Sequence, residues 1–184
     1  TIYRYGEPAR SVLQSQRLQP SVFDGQQVAD WSVTTGQGVR GAEVGDGAGD
    51  QTWLVYVPGP VDTVTVEVRG TVLTTDLAGV LRGYREKVPP MAYLRPTRAT
   101  RVDLALEEMA RGTVAGIDKA AELDRAHALS SAVAEAIAYT PDATDAHTTA
   151  AEALAGGAGV CQDHAHALIA MARTLDIPAR YVAG

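Results

Sequence analysis

A single cysteine in 184 residues excludes any intramolecular disulfide and any zinc site built from several thiolates, so whatever Cys161 does, it does as a lone thiol. Positive charge is also in short supply. The 16 Lys and Arg are scattered and outnumbered by 22 Asp and Glu, and a net charge of −6 gives no basic footprint for a phosphate backbone. Nucleic acid is therefore excluded as an expected partner. No apolar run approaches the roughly 20 residues that a bilayer span needs, and no charged start leads into an apolar stretch as in a secretory signal. Membrane and secreted readings drop out, and the expectation is a cytoplasmic protein. Internal repeats and low-complexity tails are absent too. What remains is a 19.3 kDa chain that is 46% hydrophobic, a globular composition large enough to bury its own core. It starts at Thr1 without a methionine and stops at Gly184 inside what reads as a new strand, so the expectation is a piece of a longer chain.

The composition changes character near the middle. Val, Thr, Tyr and Gly dominate the first half, and Ala, Leu and Glu the second. Before about Leu94 the β-branched and aromatic runs predict short strands over 2–5, 12–18, 27–35, 39–44, 52–57 and 61–73. Val64, Val66 and Val68 alternate with Thr65, Glu67 and Arg69, which is the pattern of a strand with one face in a core. Asp46-Gly47 and Pro58-Gly59-Pro60 are predicted reversals between strands, and the whole suggests an antiparallel β-sandwich. Pro89-Pro90 and Pro96 break the chain, dividing a β-rich domain, 1–94, from a helical one, 95–184. In the second domain Val102, Leu106 and Met109 form one helical stripe, and Ala126, Leu129, Val133 and Ile137 another before Pro141. Thr149 with Glu152 three residues later predicts a capping box for a short helix ending at Gly156-Gly157. The fold class expected is α+β.

Chemistry concentrates between Gly156 and Gly184. A glycine-rich turn leads into a helix whose first turn holds Cys161, and Cys161, Ala165, Leu168, Ala172 and Leu175 fall on one face before Pro178. Ala179 to Val182 then read as the start of a strand. A thiol at a helix N-terminus meets unpaired N–H groups and the positive end of the macrodipole, which favour the nucleophilic thiolate. The same N–H groups can donate to the oxyanion formed on an attacked acyl carbon, and the glycines let a substrate approach the backbone. The bland alternative is a small residue packed on the apolar face of the helix. His164, one turn on, is within reach of the thiol but lacks an obvious orienting carboxylate. His164 and His166 point to nearly opposite sides, which argues against a shared metal. Asp163 fits a first-turn helix stabiliser, and His127 and His147 have no constellation around them. Gly156, Gly157 and Gly159 do not make a phosphate loop, because no Lys-Ser/Thr follows and a helix precedes them.

Gly159-Val160-Cys161-Gln162-Asp163, then Ala165 to Leu168, Arg173 and Ile177 to Gly184, resemble the cysteine segment of the bacterial transglutaminase-like superfamily. Ala138-Tyr139 to Thr144 and Ala151 to Leu154 are similar to what precedes that cysteine, and residues 1 to about 94 resemble the N-terminal β domain of such proteins. Gly49-Asp50 stands where a Gly-Asn pair is commoner, Asp176 where a glycine is usual, and His164 where an aromatic is commoner. The resemblance implies a papain-like Cys-His-Asp site in an incomplete core, with Cys161 as nucleophile on a peptide or protein amide and a thioester resolved by water or an amine. It also implies that the histidine and aspartate lie on strands after Ala179, which leaves this stretch alone without a base. No cofactor is implied, since thiol acyl transfer needs none, and no acidic loop has calcium-ligand spacing. A non-catalytic binding or assembly module with a structural Cys161 is the other expectation. Either way, a sheet edge left open after Ala179 predicts self-association.

Overall fold

Valines alternating with polar residues make strands, and in a computed structural model describing residues 1–84 and 86–182 they do so with fewer breaks than expected. The chain divides into two compact units, Thr1–Val88 and Pro89–Gly184.

In the first unit Ile2–Gln16 (β1), Gln26–Thr35 (β2), Val39–Gly45 (β3) and Gln51–Thr74 (β4) form a four-stranded antiparallel sheet. Its order is β1-β4-β2, with β3 also paired to β4. Six predicted runs thus become four strands, all paired to the long β4: β3 along Gln51–Tyr56, β1 along Trp53–Thr65 and β2 along Val66–Thr74. Of the two predicted reversals, Asp46-Gly47 does turn the chain between β3 and β4, and Pro58-Gly59-Pro60 does not. Proline fixes φ near −65°, which extended backbone accepts, so Pro58-Gly59-Pro60 continues β4 instead of turning it. The donors missing at both prolines are absorbed where β1 slips register between Arg4 and Ala9 and again before Ser11. Val57, Val64 and Val66 form the buried centre, with Tyr5, Val12, Val33 and Val61 packed around it.

The second unit holds Leu104–Thr113 (α1), Glu122–Ala136 (α2), Ala138–Tyr139 (β5), Ala150–Gly156 (α3), Ala158–Gly159 (β6) and Cys161–Thr174 (α4). Asp103 sets the start of α1 by accepting the Leu106 N–H at 2.9 Å. The expected capping box opens α3: the Thr149 side chain accepts from Glu152 N, and Thr149 N donates to Glu152 Oε2 at 2.8 Å. Gly157, left-handed at φ +61°, closes the helix where a side chain would be strained. Leu106, Leu129, Val133, Ile137 and Met171 build the core, and Ala110, Ala150, Ala153, Ala167 and Ala170 let the helices approach closely. No helix among the described residues is long and apolar enough to cross a membrane.

Residues 179–182, expected as a strand, have no strand partner among the described residues; Ala183 and Gly184 lie outside those residues. Arg173 instead holds this segment. Its Nη2 donates to Ala179 O at 2.8 Å, its Nε to the same oxygen at 3.2 Å, and its Nη1 to the buried Thr100 hydroxyl at 2.8 Å. Burial pulls the guanidinium below its ordinary pKa, yet three donors remain matched to acceptors. Arg173→Ala is expected to cost this unit about 2 kcal/mol, since hydrogen bonds from a charged group contribute about 1.5–3 kcal/mol. Chemical denaturation followed by helical circular dichroism measures it, and an unchanged midpoint would show that the latch contributes nothing.

Candidate active site

Two strands of two residues each position the cysteine. β5 and β6 pair in parallel, Ala138 against Ala158 and Tyr139 against Gly159, so the end of α2 lies beside the turn that precedes α4. Val160 then caps α4 in extended conformation, and Cys161 takes the first helical position.

Asp163 fixes that turn from below. Its side chain is 1% exposed, and its Oδ2 accepts the Val160 N–H at 2.7 Å and the Thr144 hydroxyl at 2.5 Å. The first-turn stabiliser expected from sequence is therefore also a tie to the 140–149 loop. Gly159 must be a glycine for this seat, because a Cβ there would stand 2.7 Å from Asp163 Oδ2 and 2.8 Å from Asp163 Cβ. The phosphate-loop alternative for the glycines has no place in this arrangement: Gly157 ends a helix, and Gly159 makes room for a carboxylate.

Cys161 is exposed, which overturns the reading of it as a packed apolar residue. The predicted face of α4 is rotated accordingly. Asp163, Ala167, Ala170 and Met171 point into the core; of the predicted face, Ala172 is buried with them, Leu168 and Leu175 pack half-buried against them, and Ala165 is half-buried. Counting apolar residues alone does not find this, since the buried stripe begins with a carboxylate whose Oδ2 takes both polar partners, while its Oδ1 is buried without one.

His164 does not serve the thiol. Its Nδ1 lies 2.9 Å from Val160 O and its Nε2 2.8 Å from Ile137 O, so backbone carbonyls occupy both ring nitrogens. A neutral ring brings one N–H and satisfies one carbonyl at a time, whereas an imidazolium satisfies both. In either form the ring pins the first turn of α4 to the end of α2. His166 sits apart, its ring 5.8 Å from that of Tyr181, with Nδ1 buried and unbonded. Burial lowers its pKa, against the opposing pull of Asp163. His127 and His147 are exposed, and His147 contributes only its N–H, to Asp145 Oδ1 at 2.7 Å. Among the described residues no three of His, Cys, Asp and Glu could hold a metal ion together.

A pH dependence follows from His166. The unfolded chain takes up a proton near pH 6.5 that the folded chain resists, so the unfolded state binds more protons and stability rises with pH. The helical unit is expected to lose thermal stability as pH falls below about 6.5, and His166→Gln to flatten that limb. Asp145 and Glu152 act in a separate, more acidic window. Backbone N–H groups of His147 and Thr149 hold their carboxyls below the ordinary range, and the stability this gives is lost only as those carboxyls protonate. Melting curves from pH 5 to pH 8 separate the two, and a slope that His166→Gln leaves in place would contradict the assignment.

Residues 107–184 match the family model of the transglutaminase-like superfamily, and residues 1–73 match that of the bacterial transglutaminase-like N-terminal region, which together take in more than half of the chain. Residues 107–184 are thus a transglutaminase-like core, and residues 1–73 the N-terminal region of its bacterial kind. A crystal structure from Cytophaga hutchinsonii, described as that of a proposed cysteine protease, superposes with a TM-score of 0.73 over 96% of this chain at 20% identity. That likeness shows the fold: an N-terminal antiparallel sheet and a helical core. The present chain spans 62% of that protein's length. No curated protein matches the sequence at a significant level.

Sequence reasoning had picked out Cys161, Asp163, Gly159 and the capped α3. It does not reach the Thr144 hydroxyl's bond to Asp163, the Ile137 carbonyl's to His164, or the β5–β6 pair. Two-residue strands have no periodicity to read, and a backbone carbonyl such as that of Ile137 leaves no trace in residue type.

Proposed function

We propose that this chain is the cysteine-bearing part of a transglutaminase-like acyl-transfer enzyme acting on peptide or protein amides, with Cys161 as nucleophile. The observation that carries the reading is an exposed thiol at the first position of α4, on a turn fixed from beneath by Asp163, Gly159 and His164. A thiol used only for packing needs no such support.

Sγ attacks the amide carbonyl carbon, and the oxyanion that forms faces the N–H groups of Cys161 and Gln162 at the start of α4, those of Asp163 and His164 being already given to Val160 O. Collapse breaks the C–N bond. The thiol proton leaves with the amine, and a thioester joins the acyl group to Cys161. Water or a second amine then attacks the thioester, releasing acid or new amide and restoring the thiol. The base and its acidic orienter are, in this proposal, a histidine and an aspartate contributed by sequence beyond residue 184. Since His164 is held by carbonyls at both nitrogens, residues 1–184 alone are expected to be inactive.

The test compares the complete protein before and after treatment with iodoacetamide, with release of amine or ammonia from peptide amides as the readout. Protection of Cys161 by substrate and loss of release after its alkylation support the reading. Undiminished release with Cys161 fully alkylated would overturn it.

A further inference from the structure

The strand β3 differs from its neighbours in that every residue from Val39 to Gly45 is exposed. Among the described residues it pairs with β4 alone, so its far edge presents unpaired backbone donors and acceptors to which another strand can add. Charges on an edge strand ordinarily bar such addition, because the arriving strand meets them unmatched.

Here the register removes the bar for one particular arrival. Arg40 stands opposite Val55 and Glu43 opposite Trp53, so a break between them places both charges on the same face of the sheet. Val39 and Val44, opposite Tyr56 and Thr52, lie on the other face. A second copy of β3 laid antiparallel, with a two-fold axis normal to the sheet between Gly41 and Ala42, sets Val39 against Val44 and Arg40 against Glu43. Both pairs share a face, as directly opposed residues of antiparallel strands must. The irregular centre meets its own copy at Gly41 and Ala42, both small enough to leave the axis uncrowded. The charges are also available. Among the described residues Glu43 has no partner, and Arg40 gives one nitrogen to Val33 O at 2.8 Å while stacking 4.6 Å from the Trp53 ring, which leaves further N–H groups for a carboxylate. On the outer face the new Val39–Val44 pairs continue an exposed apolar row of Leu13, Tyr56 and Val39 across β1, β4 and β3.

We infer that β3 is a self-pairing edge through which two copies of this chain join their sheets into one, with Arg40 of each copy paired to Glu43 of the other. The interface is isologous, so every contact occurs twice.

Sedimentation equilibrium of the chain over a wide concentration range tests it. The parent is expected to pass from monomer to dimer, and Glu43→Arg, which sets like charges opposite Arg40, to weaken the dimer at least about tenfold. Because Glu43 is exposed and unpartnered, that variant keeps its circular dichroism. The swap of Arg40→Glu with Glu43→Arg restores dimerisation. Amide hydrogen exchange gives a reading without substitutions, as protection at residues 39–45 rises with protein concentration. A parent that stays monomeric, a dimer indifferent to Glu43→Arg, or edge amides whose protection ignores concentration would each overturn the inference. An association carried by the segment after Ala179 shows the second of these outcomes.

Discussion

Replacing Cys161 with alanine is expected to lower amide turnover by the complete protein at least about 10³-fold, the scale on which loss of a covalent nucleophile is felt. The same change is expected to leave stability within about 0.5 kcal/mol of the parent, as at other exposed sites. The two numbers belong together. An exposed side chain at the first position of α4 fills no cavity and takes no hydrogen bond that holds the fold, and alanine is the best of helix formers. A large kinetic loss with no structural loss would assign the sulfur to chemistry. Turnover that survived the substitution would remove the nucleophile from the account.

The second large effect falls on Asp163. Asp163→Ala takes away the acceptor for both the Val160 N–H and the Thr144 hydroxyl, at a position 1% exposed, and leaves a void beneath the turn. A lost hydrogen bond to a charged group costs about 1.5–3 kcal/mol, so the pair is worth about 3 kcal/mol once relaxation is allowed for. Asp163→Asn keeps an oxygen in place and is expected to lose less than half of that. Gly159→Ala is expected to mimic the alanine variant from the other side, by pushing its Cβ onto the carboxylate. Denaturation midpoints of the three variants give the ranking. Equal midpoints for parent and Asp163→Ala would show that the turn stands without its support.

Much of this was legible because it follows from residue type at fixed spacing. The Thr149–Glu152 box, the core positions Leu106, Leu129, Val133 and Ile137, and a thiol at the start of a helix after glycines all appear in the structure where their patterns put them. The departures have specific causes. Pro58-Gly59-Pro60 looks like a turn, but it is extended, and the partner strand absorbs the missing donors by slipping register. On α4 the apolar spacing points to a face that leaves out Asp163, because a carboxylate is no part of an apolar stripe. Burial of a carboxylate depends on partners at Val160 and Thr144, and Thr144 is nineteen residues away. His164 invites a catalytic reading by its distance along the helix. Only the fold shows Ile137 O, twenty-seven residues back, waiting for its second nitrogen.

The most direct test of the central claim is the intact mass of the complete protein, quenched in acid during turnover of a peptide amide or activated ester. Acid preserves a thioester, and the account predicts a species heavier by the acyl group, with the added mass on the peptide containing Cys161. Hydroxylamine is expected to remove it. An acyl adduct on another residue, or steady turnover with no adduct on Cys161 under conditions that trap thioesters, would contradict the account.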